Sequence, residues 1–267
     1  MTIIPTPHSI VRFLKTNRNL GFGRAKLVFY QAKFAFEPTY VYVALNTGIL
    51  LLALYLSKQT YLTAHDMFYG FGEALFPPLA AALFVPLILR DRESGVLPLE
   101  FMGNFSLSTL YTVRVLLVAA QILIILLALL IGFAAVSINE QQILAGLVND
   151  VRPIPGWARQ WLYPNSSCLV KLFILVTPVI FLGGIGSFFA HWALDARAGY
   201  LIIFVIWLFT RAAEALESYP VLRLINVSVY VYGRGDWVTP KIVQLCTGIF
   251  LFALSARLLR RNENLFA

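Results

Sequence analysis

The chain has 267 residues, of which 59% are hydrophobic and only 13% are charged, and its formal net charge is +8. Soluble domains are about a quarter charged, so this composition, with a mean hydropathy of +0.76, excludes an ordinary soluble domain and favours lipid as the solvent. Two cysteines exclude a disulfide framework and a zinc cluster. We expect no nucleic-acid partner, because a basic membrane protein usually carries its excess charge on cytoplasmic segments.

The first segment of the chain, residues 1–37, is basic and amphipathic. Its six Lys and Arg residues all come before the first long apolar run, so no cleavable signal peptide is expected. Leu27, Tyr30 and Phe34 form one apolar stripe before Glu37. The pattern predicts a cytoplasmic amphipathic helix lying on the inner leaflet, or alternatively an ordinary basic anchor next to the membrane.

Residues 38–257 contain six apolar runs, each close to the roughly 20 residues that a membrane-spanning helix needs. This predicts an all-α integral membrane protein with six transmembrane helices. Six spans place both termini on one side, and that side collects 13 of the 21 Lys and Arg residues. The positive-inside rule therefore places both termini, including the basic tail 258–267, in the cytoplasm. The predicted spans are residues 38–57, 67–89, 110–136, 169–191, 199–217 and 241–256.

The segment after the third predicted span has the features of a surface helix. Ser137 and Asn139 resemble a helix cap, and paired apolar residues follow over 143–148. We therefore expect a helix there that lies on the outer surface.

The loop between the second and third spans is the most charged short stretch of the chain. Residues 90–93 are all charged, Gly95 permits a sharp turn, and Pro98 suits the first turn of a short helix that Gly103 ends. The product is a one-to-two-turn amphipathic coupling helix held under the membrane. Its shape suits docking into a groove on a soluble partner.

The residue order in this loop resembles the cytoplasmic loop of ABC-2 type exporter permeases. In that family the loop typically reads charged-Glu-x-Gly-Thr-Leu-Glu-Leu-Leu, followed by Ser/Thr-Pro. Here Pro98 replaces the second Glu, Glu100 falls on a leucine position and Asn104 stands where the proline is usual, which leaves the length and docking angle of the helix open. The matching positions are Arg92, Glu93, Gly95, Leu97, Leu99 and Ser106.

The resemblance implies a permease subunit of an ATP-binding-cassette exporter in a bacterial inner membrane, paired with a second copy or a paralogue. ATP and magnesium would be bound by a separate nucleotide-binding ATPase subunit, because no G-x-x-x-x-G-K-[ST] stretch occurs in this chain. No catalytic residue, cofactor or metal is expected here, and the substrate stays open. The residues that the resemblance places at the ATPase contact are Arg90, Asp91, Arg92, Glu93, Gly95, Leu97, Leu99 and Phe101.

Charged residues inside the predicted spans are candidates for a transport pathway or gate, because they are costly at membrane depth. Glu73 precedes the Pro77-Pro78 pair, which bends a helix that lines a cavity. Alternatively, Glu73 reaches the outer headgroups or pairs with an outer arginine. Arg211, Glu214 and Glu217 share one helical face at i, i+3 spacing. They are expected to form an internal ion pair that is part of an outer gate or of the interface between two subunits, or else to mark where the fifth helix leaves lipid.

Small and amide residues in the spans predict helix packing. Gly183, Gly184 and Gly186 favour close approach of a neighbouring helix. Interhelical hydrogen bonds are expected from Asn46, Gln121 and Gln244.

Two other classes of protein are weighed against the permease. An electron carrier needs two haem ligands at one depth, but His65 and His191 fall at opposite membrane faces. A non-transporting membrane anchor or assembly subunit of a larger complex remains the main alternative, because the same loop suits docking on any soluble protein. A secondary transporter is less favoured, since no pair of repeated broken helices is present.

Overall fold

A computed structural model describes residues 75–89, 106–146, 168–212 and 238–261, together with Ala44, Gly48 and Leu224. For residues 132–146, 168 and 211–212 the description covers the backbone alone. The elements described are all helices, which confirms the predicted all-α class. They are α1 (Phe76–Ala82), α2 (Leu107–Gly146), α3 (Cys168–Ala193), α4 (Ala196–Ala212) and α5 (Val238–Arg261).

Three of these helices are long and apolar enough to cross a membrane. The qualifying segments are Leu107–Ile131, Leu169–Ala193 and Val238–Arg261, at the positions of the third, fourth and sixth predicted spans. Helix α4 has 17 residues, fewer than the roughly 20 that a span needs. Of the first predicted span only Ala44 and Gly48 are described, and the second is described from residue 75 onward. The described residues thus support three membrane-crossing helices, and they do not support the predicted number of six.

Helix α2 is longer than the predicted third span. It runs unbroken for 40 residues, which is about 60 Å at 1.5 Å per residue, roughly twice the thickness of a bilayer core. The predicted helix start at Ser137 and Asn139 was wrong, because α2 continues through both residues. Serine and asparagine cost at most about 0.7 kcal/mol in a helix interior, and no proline interrupts this stretch.

Helix α3 is the centre of the bundle. Its apolar segment is 67% buried, whereas the segments of α2 and α5 are each 28% buried. It packs against each of the four other described helices. Ile174, Leu175 and Leu182 are fully buried along its length, so the hydrophobic core follows α3.

Glycines allow α3 to approach its neighbours closely, as predicted. A Cβ atom added at Gly184 would lie 2.9 Å from the Cα of Gly248 in α5, and one added at Gly248 would lie 2.5 Å from the Ile180 carbonyl oxygen. A Cβ at Gly183 would lie 2.6 Å from the Phe84 ring. Such distances are closer than real Cβ contacts, so only glycine permits this packing.

The helices around α3 run in alternating directions. Tyr111 at the start of α2 packs on His191 at the end of α3, so these two helices are antiparallel. A tight turn at Leu194 and Asp195 reverses the chain into α4, and Gly199 packs back on Ala190. Helix α5 runs parallel to α3. The start of α2 and the ends of α3 and α5 therefore lie at one end of the bundle.

The distribution of polar residues on α5 is the reverse of that in a water-soluble protein. Lys241, Gln244 and Ser255 are fully buried, while Ile249 and Phe250 are 56% and 64% exposed. Water-soluble proteins bury large apolar side chains and expose lysine. An apolar surface around a partly polar interior fits a helix that faces lipid on its outer side.

Candidate functional site

The described part of the second predicted span is a short helix followed by a tighter, non-α-helical turn. Helix α1 ends at Ala82, and the N–H groups of Leu83, Phe84 and Val85 donate to carbonyls three residues earlier at 3.2, 3.1 and 3.3 Å. Pro86 has no N–H and cannot continue an α-helix. Residues 83–88 form turns and Leu89 is helical again; we call residues 83–89 together the buried turn.

The buried turn is enclosed by protein. Phe84, Val85, Ile88 and Leu89 are at most 1% exposed. The Phe84 ring also stacks at an angle on Phe252 of α5, with ring centroids 4.9 Å apart. In lipid every backbone polar group must find an internal partner, so irregular backbone at membrane depth is tolerated where protein surrounds it.

Two side chains from neighbouring helices bond to carbonyl groups of the buried turn. Ser187 Oγ in α3 donates to the Phe84 carbonyl oxygen at 2.8 Å. A guanidinium nitrogen of Arg114 in α2 donates to the Leu87 carbonyl oxygen. Hydrogen bonds from charged donors are roughly twice as strong as neutral ones, so Arg114 holds α2 firmly to the buried turn.

These contacts connect the two flanks of the charged loop, residues 90–105. Leu89 before the loop and Leu107 after it are each 1% exposed. Ser106 caps α2: its Oγ accepts a hydrogen bond from the Thr109 N–H at 3.2 Å and lies 2.8 Å from Thr109 Oγ1. The loop therefore leaves and re-enters the bundle at points that are anchored in protein.

A polar cluster lies beside the Arg114 contact, where α2, α3 and α5 meet. It consists of Tyr111, Ser187, His191 and Ser255, each at most 1% exposed. The rings of Tyr111 and His191 meet edge to face at 5.0 Å and 88°. The hydroxyl groups of Ser187 and Ser255 are the polar neighbours of the Tyr111 hydroxyl. Each of the three helices thus contributes at least one polar side chain to an otherwise apolar interior.

An apolar cleft opens between α2 and α3, at residues 119–126 of α2 and 176–180 of α3. Its volume is about 280 Å³. The lining side chains are those of Phe84, Ala119, Ala120, Ile122, Leu123, Leu126, Val176, Val179 and Ile180. A cleft with this lining accepts hydrocarbon and offers nothing to orient a polar ligand.

The site residues predicted from sequence fall outside this description. The predicted ATPase-contact residues lie within 90–101, which is not part of the described chain. Glu73, Glu214 and Glu217 are also outside it, and Arg211 lies at the end of α4 with its backbone alone described. The predicted contact and gate thus remain predictions.

Sequence analysis did not assign a packing role to Arg114 or to the polar cluster. A signal was present, because Ser187 and His191 have i, i+4 spacing and share one face of an apolar helix. Arg114 likewise interrupts the apolar pattern of α2 after two turns. Their partners on other helices were not predictable from spacing within one helix.

Three apolar helices are long enough to cross a membrane, and the helices pack around a central helix that carries glycines. Polar side chains lie inside the bundle and large apolar ones lie outside. These features define an all-α membrane protein. Comparison with protein-family models, with curated proteins and with solved structures found no match to this chain. The resemblance to ABC-2 type permeases thus rests on the loop that ends at Ser106.

Proposed function

We propose that this chain is the transmembrane permease subunit of an ATP-binding-cassette exporter. In this proposal a separate nucleotide-binding subunit hydrolyses ATP and docks on residues 90–101. The energy is used to export a substrate that the chain's features do not identify. Lipid surrounds the bundle, and a second permease subunit, identical or paralogous, completes the transporter.

The observation that carries the proposal is the anchoring of the charged loop at both ends. A partner that pulls on residues 90–105 acts on the buried turn through Leu89 and on α2 through Ser106. Arg114 joins these two elements directly. Transport by rigid-body movement of helices requires such a firm connection between the ATPase contact and the bundle.

The proposed function includes a membrane topology for the chain. Six spans, with both termini in the cytoplasm of a bacterial inner membrane, place the charged loop on the cytoplasmic side, where a soluble ATPase is available. The alternating directions of α2, α3, α4 and α5 support this arrangement. In it the fifth span covers residues 199–217, as proposed from the sequence, so that Arg211, Glu214 and Glu217 belong to its outer half.

The pathway is proposed to pass beside the second span. Glu73 stands two residues before the described segment that leads into the buried turn. A rearrangement of this segment would move Glu73 and the coupling loop together, which supports Glu73 as a gate residue.

The first experiment is purification of the chain from its native membrane in a mild detergent, followed by identification of stoichiometric partners by mass spectrometry. We expect a soluble subunit with a Walker A lysine. Reversal of the loop charges (Arg92→Glu with Glu93→Arg) should reduce its copurification, or uncouple ATP hydrolysis from transport, while membrane insertion is unchanged. The matched control is Arg197→Glu, an exposed charge in the first turn of α4.

The competing function is a membrane anchor or assembly subunit. A partner set that contains structural or redox subunits and no ATPase would overturn the exporter and support the anchor. Normal partner binding and normal coupling in the charge-reversed variant would show that the contact does not involve residues 92 and 93.

A further inference from the structure

The polar cluster of Tyr111, Ser187, His191 and Ser255 contains hydrogen-bonding atoms that the protein itself does not satisfy. Among the described residues, Tyr111 Oη, Ser255 Oγ and both ring nitrogens of His191 have no partner with acceptable geometry. Each such buried group costs about 1–3 kcal/mol when left unsatisfied. Several of them in one place are unusual, because buried polar groups are almost always bonded to protein or to ordered water.

The hydroxyl groups cannot satisfy the whole cluster by rotating toward one another. Ser187 Oγ already donates its proton to the Phe84 carbonyl oxygen at 2.8 Å and can therefore only accept. A neutral imidazole has one N–H donor and one acceptor nitrogen. The Ser187 backbone carbonyl is the neighbour of one His191 nitrogen, and the other nitrogen would still lack a partner after Tyr111 and the two serines were paired.

The position of the cluster also favours a small polar guest. Tyr111 is the fifth residue of α2 and His191 the third residue from the end of α3. At 1.5 Å per residue, Tyr111 lies about 6 Å along the axis from the helix start. The site is thus buried in protein, about one helical turn from the start of α2 and less than one turn from the end of α3.

We propose that the polar cluster is a binding site for ordered water that bridges Tyr111, His191 and Ser255. A water molecule donates two hydrogen bonds and accepts two, so it can donate to the imidazole nitrogen that carries no proton and accept from a hydroxyl group. Buried waters typically make about three such bonds. The bridge joins α2, α3 and α5 next to the Arg114 contact, and it does not depend on the proposed transport function.

Radiolytic footprinting of the full chain in lipid nanodiscs tests this proposal. X-rays convert bound water into hydroxyl radicals, which oxidise the side chains beside it even when these are buried. We expect oxidation at Tyr111 and His191, measured by mass spectrometry. Trp192, which is 67% exposed, is the positive control, and buried Phe84 is the negative control. The protein is also mixed rapidly with ¹⁸O-water before irradiation. The ¹⁸O should then appear in the oxidation product of Tyr111 more slowly than in that of Trp192, because bound water exchanges slowly with bulk water.

Two variants make the result specific. Ser255→Ala removes one ligand of the water and should lower oxidation of Tyr111 several-fold. Ser108→Ala, which changes a serine of α2 outside the cluster, should leave it unchanged. Absence of oxidation at both Tyr111 and His191 while Trp192 is labelled would overturn the proposal. Incorporation of ¹⁸O at Tyr111 as fast as at Trp192 would also overturn the proposal, because it would mean that Tyr111 is in contact with bulk water.

Discussion

The guanidinium group of Arg114 in α2 donates a hydrogen bond to the carbonyl oxygen of Leu87, which lies 27 residues earlier in the chain. Leu87 directly follows Pro86 in a turn where the backbone is not α-helical. The contact therefore satisfies a backbone acceptor and holds a half-buried cation against the bundle at the same time. Charged side chains at membrane depth usually face the bundle interior and pair with other charges or with backbone carbonyls.

Replacing Arg114 by leucine should destabilise the bundle by about 1.5–3 kcal/mol, the range for hydrogen bonds to charged groups. The Leu87 carbonyl, which is followed by the buried residues Ile88 and Leu89, loses its charged donor. Thermal unfolding in detergent measures the loss as a lower Tm. Arg260→Leu, at an exposed position of α5, is the control, and equal Tm values for the two variants would contradict the structural role of Arg114.

Replacing Gly184 by alanine should separate α3 from α5. The new Cβ would lie 2.9 Å from the Gly248 Cα atom, so the backbones must move apart, at a cost of about 1–3 kcal/mol for overpacking. Gly48→Ala is a matched control, because a Cβ added there meets no described atom within 4 Å. That variant should be neutral or slightly stabilising, since alanine is the better helix former. A Gly184→Ala protein as stable as wild type would show that the close crossing is absent.

Asp195 caps the N-terminus of α4, and its removal should loosen the α3–α4 turn. Its Oδ1 accepts a hydrogen bond from the Arg197 N–H at 2.8 Å. Asp195→Ala should cost about 0.5–2 kcal/mol, read as a decrease in Tm. Asp195→Asn keeps an accepting oxygen and should recover most of the loss. If alanine and asparagine behave alike, the side chain does not cap the helix.

The outer face of α5 should contact lipid. A nitroxide at position 250, after replacement of Cys168 and of the exposed Cys246, should collide often with oxygen and rarely with a water-soluble nickel complex in liposomes. A nitroxide at position 261, the last residue of α5, should show the opposite pattern because it lies among the basic residues of the helix end. High nickel accessibility at position 250 would contradict the membrane assignment of this face.

Much of the helical framework was predictable from local composition. The fourth predicted span, residues 169–191, differs from α3 by one residue at the start and two at the end. The glycines at 183, 184 and 186 correctly indicated close helix packing, and Gln244 donates to the Leu224 carbonyl at 3.1 Å, as its predicted role requires. These features succeed because apolar length and residue size act within a single helix.

The prediction was less successful where the chain changes structure inside an apolar run. Helix α2 continues ten residues past the predicted end of the span at 136. The second predicted span was expected to be one bent helix, but α1 has only seven residues before the buried turn begins. Proline at position 86 indicated a disturbance there, yet its extent depends on which side chains are available to bond the freed carbonyls.

The sequence by itself determined the all-α class, the membrane environment and the positions of the long apolar helices, because each follows from the hydropathy of consecutive residues. The tertiary structure decided which polar groups meet. Ser187 bonds to a carbonyl 103 residues away, and Tyr111 approaches Ser255 from another helix. In an apolar interior each buried polar group must find a partner, and which partners are in reach depends on how the helices pack.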